Sequence, residues 1–329
     1  MGRMVNGLVA AVLACMLAAP GAAAGEKPEK CFLWKVGSDT ASVYLLGSIH
    51  MSREKMYPLC SVIEDAYGES DVLVVELDMS EGKRALAAVL MLQKGTYPGE
   101  ETIEDNLSAE AVERLSAHLK TRGMSLAMVN KMKPWYLGLI LVMGEYMRLG
   151  YDPGMGLDLY FIGRAAAQKK KILELESVAE QIAVLGGGSK EEQELSLLET
   201  LEQLPNAGAV MEKMIAAWMA GDADGMNRIL RENLSKNPAL EPFRKRLLDD
   251  RNVTMADAIE GYLETAGTYF VVIGGGHFVG EKGIVKLLRE RNHSVEQLEK
   301  RPGERESAPG PREVIPSASR NEVMSDREY

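Results

Sequence analysis

Residues 269–277 read YFVVIGGGH, and residues 42–50 read SVYLLGSIH. Each is an apolar, partly β-branched run followed by Gly-x-x-His. Such a run, with little polar alternation, predicts a strand buried on both faces of a sheet. A strand that ends in glycine delivers the following side chain to the C-terminal edge of the sheet, where α/β proteins assemble their sites. Gly47 and Gly274 are expected to allow a tight turn there. If the two strands are neighbours, His50 and His277 converge.

Other strands are legible around this pair. Cys31–Val36 (CFLWKV) and Ser42–Leu46, separated by Gly37-Ser38-Asp39, predict a β-hairpin. Val72–Leu77 (VLVVEL) predicts a second buried strand, and Lys171–Leu175 (KILEL) a shorter one. Helical spacing marks Ala109–Arg122, Pro134–Leu149 and Leu157–Lys170. Ser189 and Glu192 form an expected capping box after the Gly186–Gly188 break. Residues 208–265 read as mostly helical, interrupted at Gly221, Asn237-Pro238 and Glu241-Pro242, and Glu281–Arg291 reads as the last helix. Strands near both ends with helices between them predict a mixed α+β (α/β) domain. Its central mixed sheet is flanked by helices and carries a large helical insertion.

The two ends read differently. Arg3 precedes a 12-residue apolar run, Leu8–Ala19, and small residues then lead to Ala24. A bilayer span needs about 20 apolar residues. Residues 1–24 therefore read as a secretory signal, which predicts a periplasmic or extracellular protein with no membrane span after cleavage. Residues 302–329 are rich in Pro, Ser, Glu and Arg without apolar periodicity and read as a disordered tail. Residues 25–301 remain as one domain. Cys31 and Cys60 are either a disulfide, which export permits, or two buried thiols. With 38 Lys+Arg against 48 Asp+Glu, the net charge is −10, which argues against a nucleic-acid partner.

Four histidines limit the chemistry. His118 lies on an amphipathic helix and His293 follows a helix, so both read as surface residues. His50 and His277 are left, and Glu76 ends a buried strand, where a charge needs a partner or an edge. Glu174 and Glu176 share a face if extended. Two imidazoles and a carboxylate suit zinc, manganese, cobalt or iron with positions open for water. Such an ion acidifies its water, and a nearby carboxylate can serve as general base. The Gly274-Gly275-Gly276 run is no dinucleotide fingerprint, because Val279 stands where the last glycine belongs. No G-x-S-x-G elbow accompanies the histidines.

The blocks LLGSIH (45–50), YPL (57–59), VVELD (74–78) and MKPW (132–135), taken in order, carry a resemblance. GYDPGMGLDLYF (150–161), LELESVAEQ (173–181), LLDDRNVTMADAI (247–259) and YFVVIGGGHFVGEKGIVKLL (269–288) extend it. Together they resemble the TraB/PrgY/GumN family, which includes the Tiki peptidases. The resemblance implies a fold similar to erythromycin esterases and haem-binding ChaN proteins. It implies metal-dependent hydrolysis, with a peptide or small molecule as substrate. The two Gly-x-x-His units, Gly47–His50 and Gly274–His277, would mark the site, with His50, His277 and Glu76 holding Mn, Co or Zn. Glu76 is implied as ligand or general base. Arg251 would bind a substrate carboxylate or stabilise an oxyanion; the plainer alternative is a helix-end ion pair. Glu176, Gln181 and Asn252 are implied as supporting or structural positions. A second expectation is a binder that sequesters a peptide or haem in the same cleft without turnover.

Overall fold

The computed structural model describes residues 29–53, 56–233 and 237–303. The expected signal segment, and all but the first two residues of the expected tail, lie outside the described residues. Six strands form one mixed sheet: β1 (Lys30–Gly37), β2 (Ala41–Ser48), β3 (Val72–Val75), β4 (Lys171–Glu174), β5 (Gly267–Gly274) and β6 (Val295–Glu299). Their spatial order is β4-β3-β5-β2-β1-β6. β4, β3, β5 and β2 run parallel, and β1 is antiparallel to both β2 and β6. The expected hairpin is β1–β2, with Val36 opposite Val43.

β2 and β5 are direct neighbours, with Gly47 opposite Ile273 and Ser48 opposite Gly274. The two Gly-x-x-His units therefore leave the sheet side by side. Both strands lie in the middle of the sheet, so both of their faces are covered, and Val43, Leu45, Leu46, Phe270, Val271, Val272 and Ile273 are fully buried. Burial of each such side chain contributes roughly 1.5–3 kcal/mol, which makes this register costly to shift. α1 (Ser61–Glu69) and α5 (Leu157–Gln168) pack on β5. There the ring centroid of Phe161 lies 5.0 Å from Tyr67 and 4.9 Å from Phe270. α8 (Ala207–Met219) packs on β1, and α11 (Asp250–Leu263) on β2.

The helical insertion enters in two runs. Between β3 and β4 come α2 (Glu81–Gly95), α3 (Ala109–Thr121), α4 (Pro134–Arg148) and α5. Between β4 and β5 come α6 (Val178–Gly186), α7 (Lys190–Gln203), α8, α9 (Ala223–Asn233), α10 (Glu241–Arg244) and α11. α3, α4 and α7 build a core of their own, separate from the sheet core, from Leu115, Leu119, Leu137, Leu197 and Leu201.

Several local expectations change. Glu241-Pro242 opens a helix instead of interrupting one. Proline fits the first turn because its missing N–H has no partner there anyway. The helix then runs through a π-turn, Lys245–Asp249, straight into α11. The last helix, α12, spans Ile284–Glu290, shorter than expected, because residues 281–283 still belong to a turn in which Gly283 N–H donates to Gly280 O at 3.1 Å. Ser189 does cap α7, but the Glu192 carboxylate turns to Arg246, so the reciprocal box expected there is half made. A full box forms instead at Ser177 and Glu180, opening α6. The Cys31 and Cys60 sulfurs lie side by side, 2.7 Å apart, joining β1 to the N-terminus of α1.

Candidate functional site

The C-terminal edge of the parallel strands gathers the expected residues. His50 follows β2, Glu76 follows β3 and His277 follows β5. β5 lies between β3 and β2, so these three side chains come from three adjacent strands. Gly274 sits beneath them. A Cβ built on Gly274 would stand 3.0 Å from His50 Nε2, 3.4 Å from His277 Cδ2 and 3.5 Å from Glu76 Oε2. Three polar side chains thus face one point that any larger residue would fill. Neither Gly47 nor Gly274 has a positive φ. The expected turn freedom is not what these glycines supply; they supply room. At Gly47 a Cβ would run into the Phe32 ring, 2.4 Å away, while the Trp218 indole N–H donates to the Gly47 carbonyl.

Each imidazole is pinned through Nδ1. His277 Nδ1 lies 2.6 Å from Asn252 Oδ1, and Asn252 Nδ2 donates to the Lys282 carbonyl at 2.9 Å. That second bond fixes the amide so that Oδ1 accepts, which places the proton of His277 on Nδ1 and the lone pair on Nε2. His277 Nε2 stands 4.0 Å from Glu76 Oε2. On the other side, Asp158 Oδ2 accepts from His50 Nδ1 at 2.9 Å and from Ser48 Oγ at 2.5 Å. His277 is buried, while 60% of the His50 side chain is open to solvent.

The loop carrying His50 is strapped to the segment 150–158. Ser52 and Asp152 exchange backbone hydrogen bonds of 3.2 and 2.9 Å, and Leu157 N–H donates to Ile49 O at 3.2 Å. A Cβ on Gly156 would meet the His50 carbonyl oxygen at 2.2 Å, so only glycine lets these backbones touch. Asp158, in the first turn of α5, is a site residue that the sequence reading did not single out.

Glu76 is held at both oxygens. Oε1 accepts from Gln181 Nε2 at 3.0 Å and from Arg251 Nη2; Oε2 accepts from Gly274 N–H at 3.1 Å. Arg251 also clamps Glu176, through Nε at 2.7 Å and Nη2 at 2.6 Å, and donates from Nη1 to Leu247 O at 2.9 Å. Its guanidinium is therefore largely spent within the protein, between carboxylates that follow the paired strands β3 and β4. The π-turn just before it places Leu247 O under the guanidinium, as such turns often do near sites. Glu174 and Glu176 do not share a face. The strand ends at Glu174, which pairs with Lys83 at 3.2 Å, whereas Glu176 turns inward to Arg251. His118, on α3, belongs to the helical cluster, and His293 pairs with Glu260 at 2.7 Å.

These surroundings set the charges. Burial pushes Glu76 up, but His277, His50, Arg251 and the Gly274 N–H together outweigh it and bring the carboxyl down to about 2. Burial lowers His277 to about 4 against the pull of Glu76. The Asp158 carboxylate, with Glu76 adding to it, raises His50 to about 9. At neutral pH, Glu76 is ionised, His277 is neutral and His50 is an imidazolium.

The donor chemistry suits a divalent cation that displaces one proton: a neutral imidazole with its Nε2 lone pair free, a second imidazole fixed by a carboxylate that must give up its Nε2 proton to ligate, and an ionised glutamate facing both. Carboxylate and amide partners on the far nitrogen are the usual way to orient metal-binding histidines. As the side chains stand, no three His, Cys, Asp or Glu among the described residues are close enough together to hold an ion.

The chain is similar to several known proteins. It is 25% identical over 247 residues to the uncharacterized protein YbaP of Escherichia coli, covering 75% of this chain and 87% of YbaP. It is 24% identical over 318 residues to metalloprotease TIKI1 of Danio rerio, covering 80% of this chain and 62% of that protein. Human metalloprotease TIKI1 is 24% identical over 335 residues, covering 84% of this chain and 65% of that protein. No solved structure matches the chain. Residues 32–297, which contain every strand-edge residue described above, match the TraB/PrgY/gumN family, and the chain belongs to that family.

Proposed function

We propose that this protein is a metal-dependent hydrolase of peptide bonds that works outside the cytoplasm. The observation that carries the reading is the convergence of His50 Nε2, His277 and Glu76 Oε2 on the space above Gly274. The metalloprotease names of the TIKI relatives favour a peptide bond over an ester. Residues 1–24, read as a secretory signal, favour export. Among the described residues no helix is long and apolar enough to cross a membrane.

Held by His50, His277 and Glu76, a Mn, Co or Zn ion would supply Lewis acidity and water activation. The protein's own groups do the rest. Asn252 and Asp158 fix which imidazole nitrogen faces inward. Gln181, Arg251 and the Gly274 N–H stabilise the charged form of Glu76, the opposite of what a proton acceptor near neutral pH needs. Glu76 is therefore assigned to holding the cation, and Arg251 and Glu176 to holding Glu76. The exposure of His50, with 60% of its side chain open to solvent, favours substrate entry from that side.

The test is to load purified protein with Mn²⁺, Co²⁺ or Zn²⁺, screen a peptide library, and measure bound metal. Cleavage by the wild type, lost in His50→Ala and His277→Ala together with bound metal, is the expected result. No cleavage by the wild type, or equal cleavage by both variants, overturns the reading.

A further inference from the structure

MKPW (132–135) and Tyr97-Pro98 take no part in the strand-edge hydrogen bonds described above. Tyr97 and Pro98, with Lys133, Pro134 and Trp135 of the MKPW block and with α6, line an open cleft of about 600 Å³. Lys94, at the end of α2, Lys133, just before α4, and Lys190, at the start of α7, all line it. Among the described residues, none of these lysines is within ion-pair distance of a carboxylate. Glu101 is the carboxylate in the lining, and it accepts from Asn106 at 3.0 Å. Nearby Asp105, which feels Lys190, is taken up by the Thr102 N–H and hydroxyl at 2.8 and 2.9 Å. A chain of net charge −10 thus sets three lysines around one concavity against a single lining carboxylate, Glu101, with Asp105 and Glu191 near enough to feel Lys190. Its walls are aromatic. Lys133 Nζ lies 5.9 Å from the Tyr97 ring centroid, and the Trp135 indole packs where a Cβ on Gly186 would stand 3.0 Å from Nε1.

The cleft shares α6 with the site. Gln181 holds Glu76, while Ile182, Ala183 and Gly186 line the cleft. Gln181 and Gly186 are five residues apart, roughly 7.5 Å along a helix axis. An extended peptide covers that distance in about two to three residues.

We propose that this cleft is a substrate subsite for an acidic peptide. It seats acidic side chains a few residues from the scissile bond between Lys94, Lys133 and Lys190, with a neighbouring apolar side chain on Trp135. The position relative to the chemistry rests on the hydrolase reading; the binding does not require turnover. Because the lysines are at least partly exposed, salt weakens the preference, with screening over about 10 Å at 0.1 M.

The test uses fluorescein-labelled peptides that share an apolar centre and differ only in flanking Glu-Glu, Gln-Gln or Lys-Lys. Anisotropy is read on the full chain in EDTA, where an ion-dependent reaction stops. The Glu peptide is expected to bind at least about tenfold more tightly than the Lys peptide at low salt. The triple variant Lys94→Gln/Lys133→Gln/Lys190→Gln should lose that preference, and Trp135→Ala should weaken binding of all three peptides. Equal binding of the Glu and Lys peptides, or a preference unchanged in the triple variant, overturns the proposal. So does tighter binding of an acidic oligosaccharide such as oligogalacturonate. Loading Mn²⁺ then separates the two readings. Acidic peptides bound but never cleaved remove the hydrolase and leave the subsite, whereas cleavage with no acidic preference leaves the hydrolase and removes the subsite.

Discussion

The sheet edge and the helical cluster bury charge in opposite ways. At the edge, the charged and polar groups Glu76, Glu176, Arg251, Asn252 and His277 form one connected network that ends at an open point above Gly274. In the helical cluster, Glu145 on α4 is 5% exposed and bracketed by Arg122 at 2.7 Å and Arg148 at 2.6 Å. That network closes on itself. Backbone ladders fix much of the first arrangement, since Glu76, Glu176 and His277 follow β3, β4 and β5, which pair in register, while Arg251 and Asn252 come from α11. Side-chain packing fixes the second, around Leu115, Leu137 and Leu197. A buried network with an open end spends stability on preorganisation, and one without an end serves the fold alone. Substitutions at the edge should therefore cost activity first, and substitutions in the cluster should cost stability first.

Gly274→Ala tests this division most severely. Its Cβ would meet both imidazoles and Glu76 at 3.0–3.5 Å, tighter than or near ordinary contact, so the space they share closes. Peptidase activity should fall by roughly a hundredfold, about 2.7 kcal/mol of barrier, while the melting temperature moves by only a few degrees. Near-normal turnover would show that the point above Gly274 is not the reacting centre.

Glu145→Gln should do the reverse. Leaving Arg122 and Arg148 facing an uncharged amide should cost about 2 kcal/mol in urea unfolding, less than the roughly 3–5 kcal/mol of a fully buried pair because Arg148 is largely exposed. Its hydrogen bond to Arg148, opposed by burial, and the Arg122 charge hold the Glu145 pKa below the ordinary 4.5. The sign follows from linkage. The folded pKa is depressed, so the stabilisation is fully present above about 4.5 and is lost as pH falls below that value. The wild type should lose its advantage over Glu145→Gln progressively below pH 4.5, while activity at neutral pH is equal in the two proteins. A constant gap across that window would remove the charge from the account.

Asp158→Asn bears on what was legible in the sequence. β2 and β5 could be read because covering both faces of a strand demands an unbroken apolar run. β6 could not. It is an edge strand reading VEQLE, where Val295 is buried and Gln297 spends its amide on the carbonyls of Cys31 and Gly221. The two histidines were visible as a repeated unit, but their adjacency is a matter of pairing that no local pattern encodes. Asp158 was invisible for the same reason: 108 residues separate it from His50, and locally it looks like any acidic residue in a first helical turn. Arg251 was visible as a cation, yet that its fork is filled emerges only once β3 and β4 pair. Replacing Asp158 by Asn removes the charge that orients His50; although it also eases loss of the His50 proton, the lost orientation should reduce metal affinity or turnover about tenfold. Calorimetric titration with Mn²⁺ reads the first and peptide cleavage the second; no change in either would reduce Asp158 to a helix-turn acid.

Ser177→Ala lies where the two regions meet, and its effect should be the smallest. Ser177 begins α6, its hydroxyl accepting from Glu180 N–H at 3.2 Å while the Glu180 carboxylate accepts from Ser177 N–H at 2.7 Å. Losing such a cap typically costs about 1 kcal/mol of stability. The residue just before the cap is Glu176, clamped by Arg251, and Gln181 on the first turn of α6 reaches Glu76. Fraying that turn loosens Gln181 before it loosens Glu176, because Glu176 N–H is tied to Glu76 O at 3.1 Å in a ladder the cap does not touch. The expected signature is a drop of about 1 kcal/mol in urea unfolding, with a loss of turnover smaller than that of Gln181→Ala. If Ser177→Ala instead lowers turnover as much as Gln181→Ala does, the edge depends on its helix cap as well as on its strands, and the division between the two regions fails at α6.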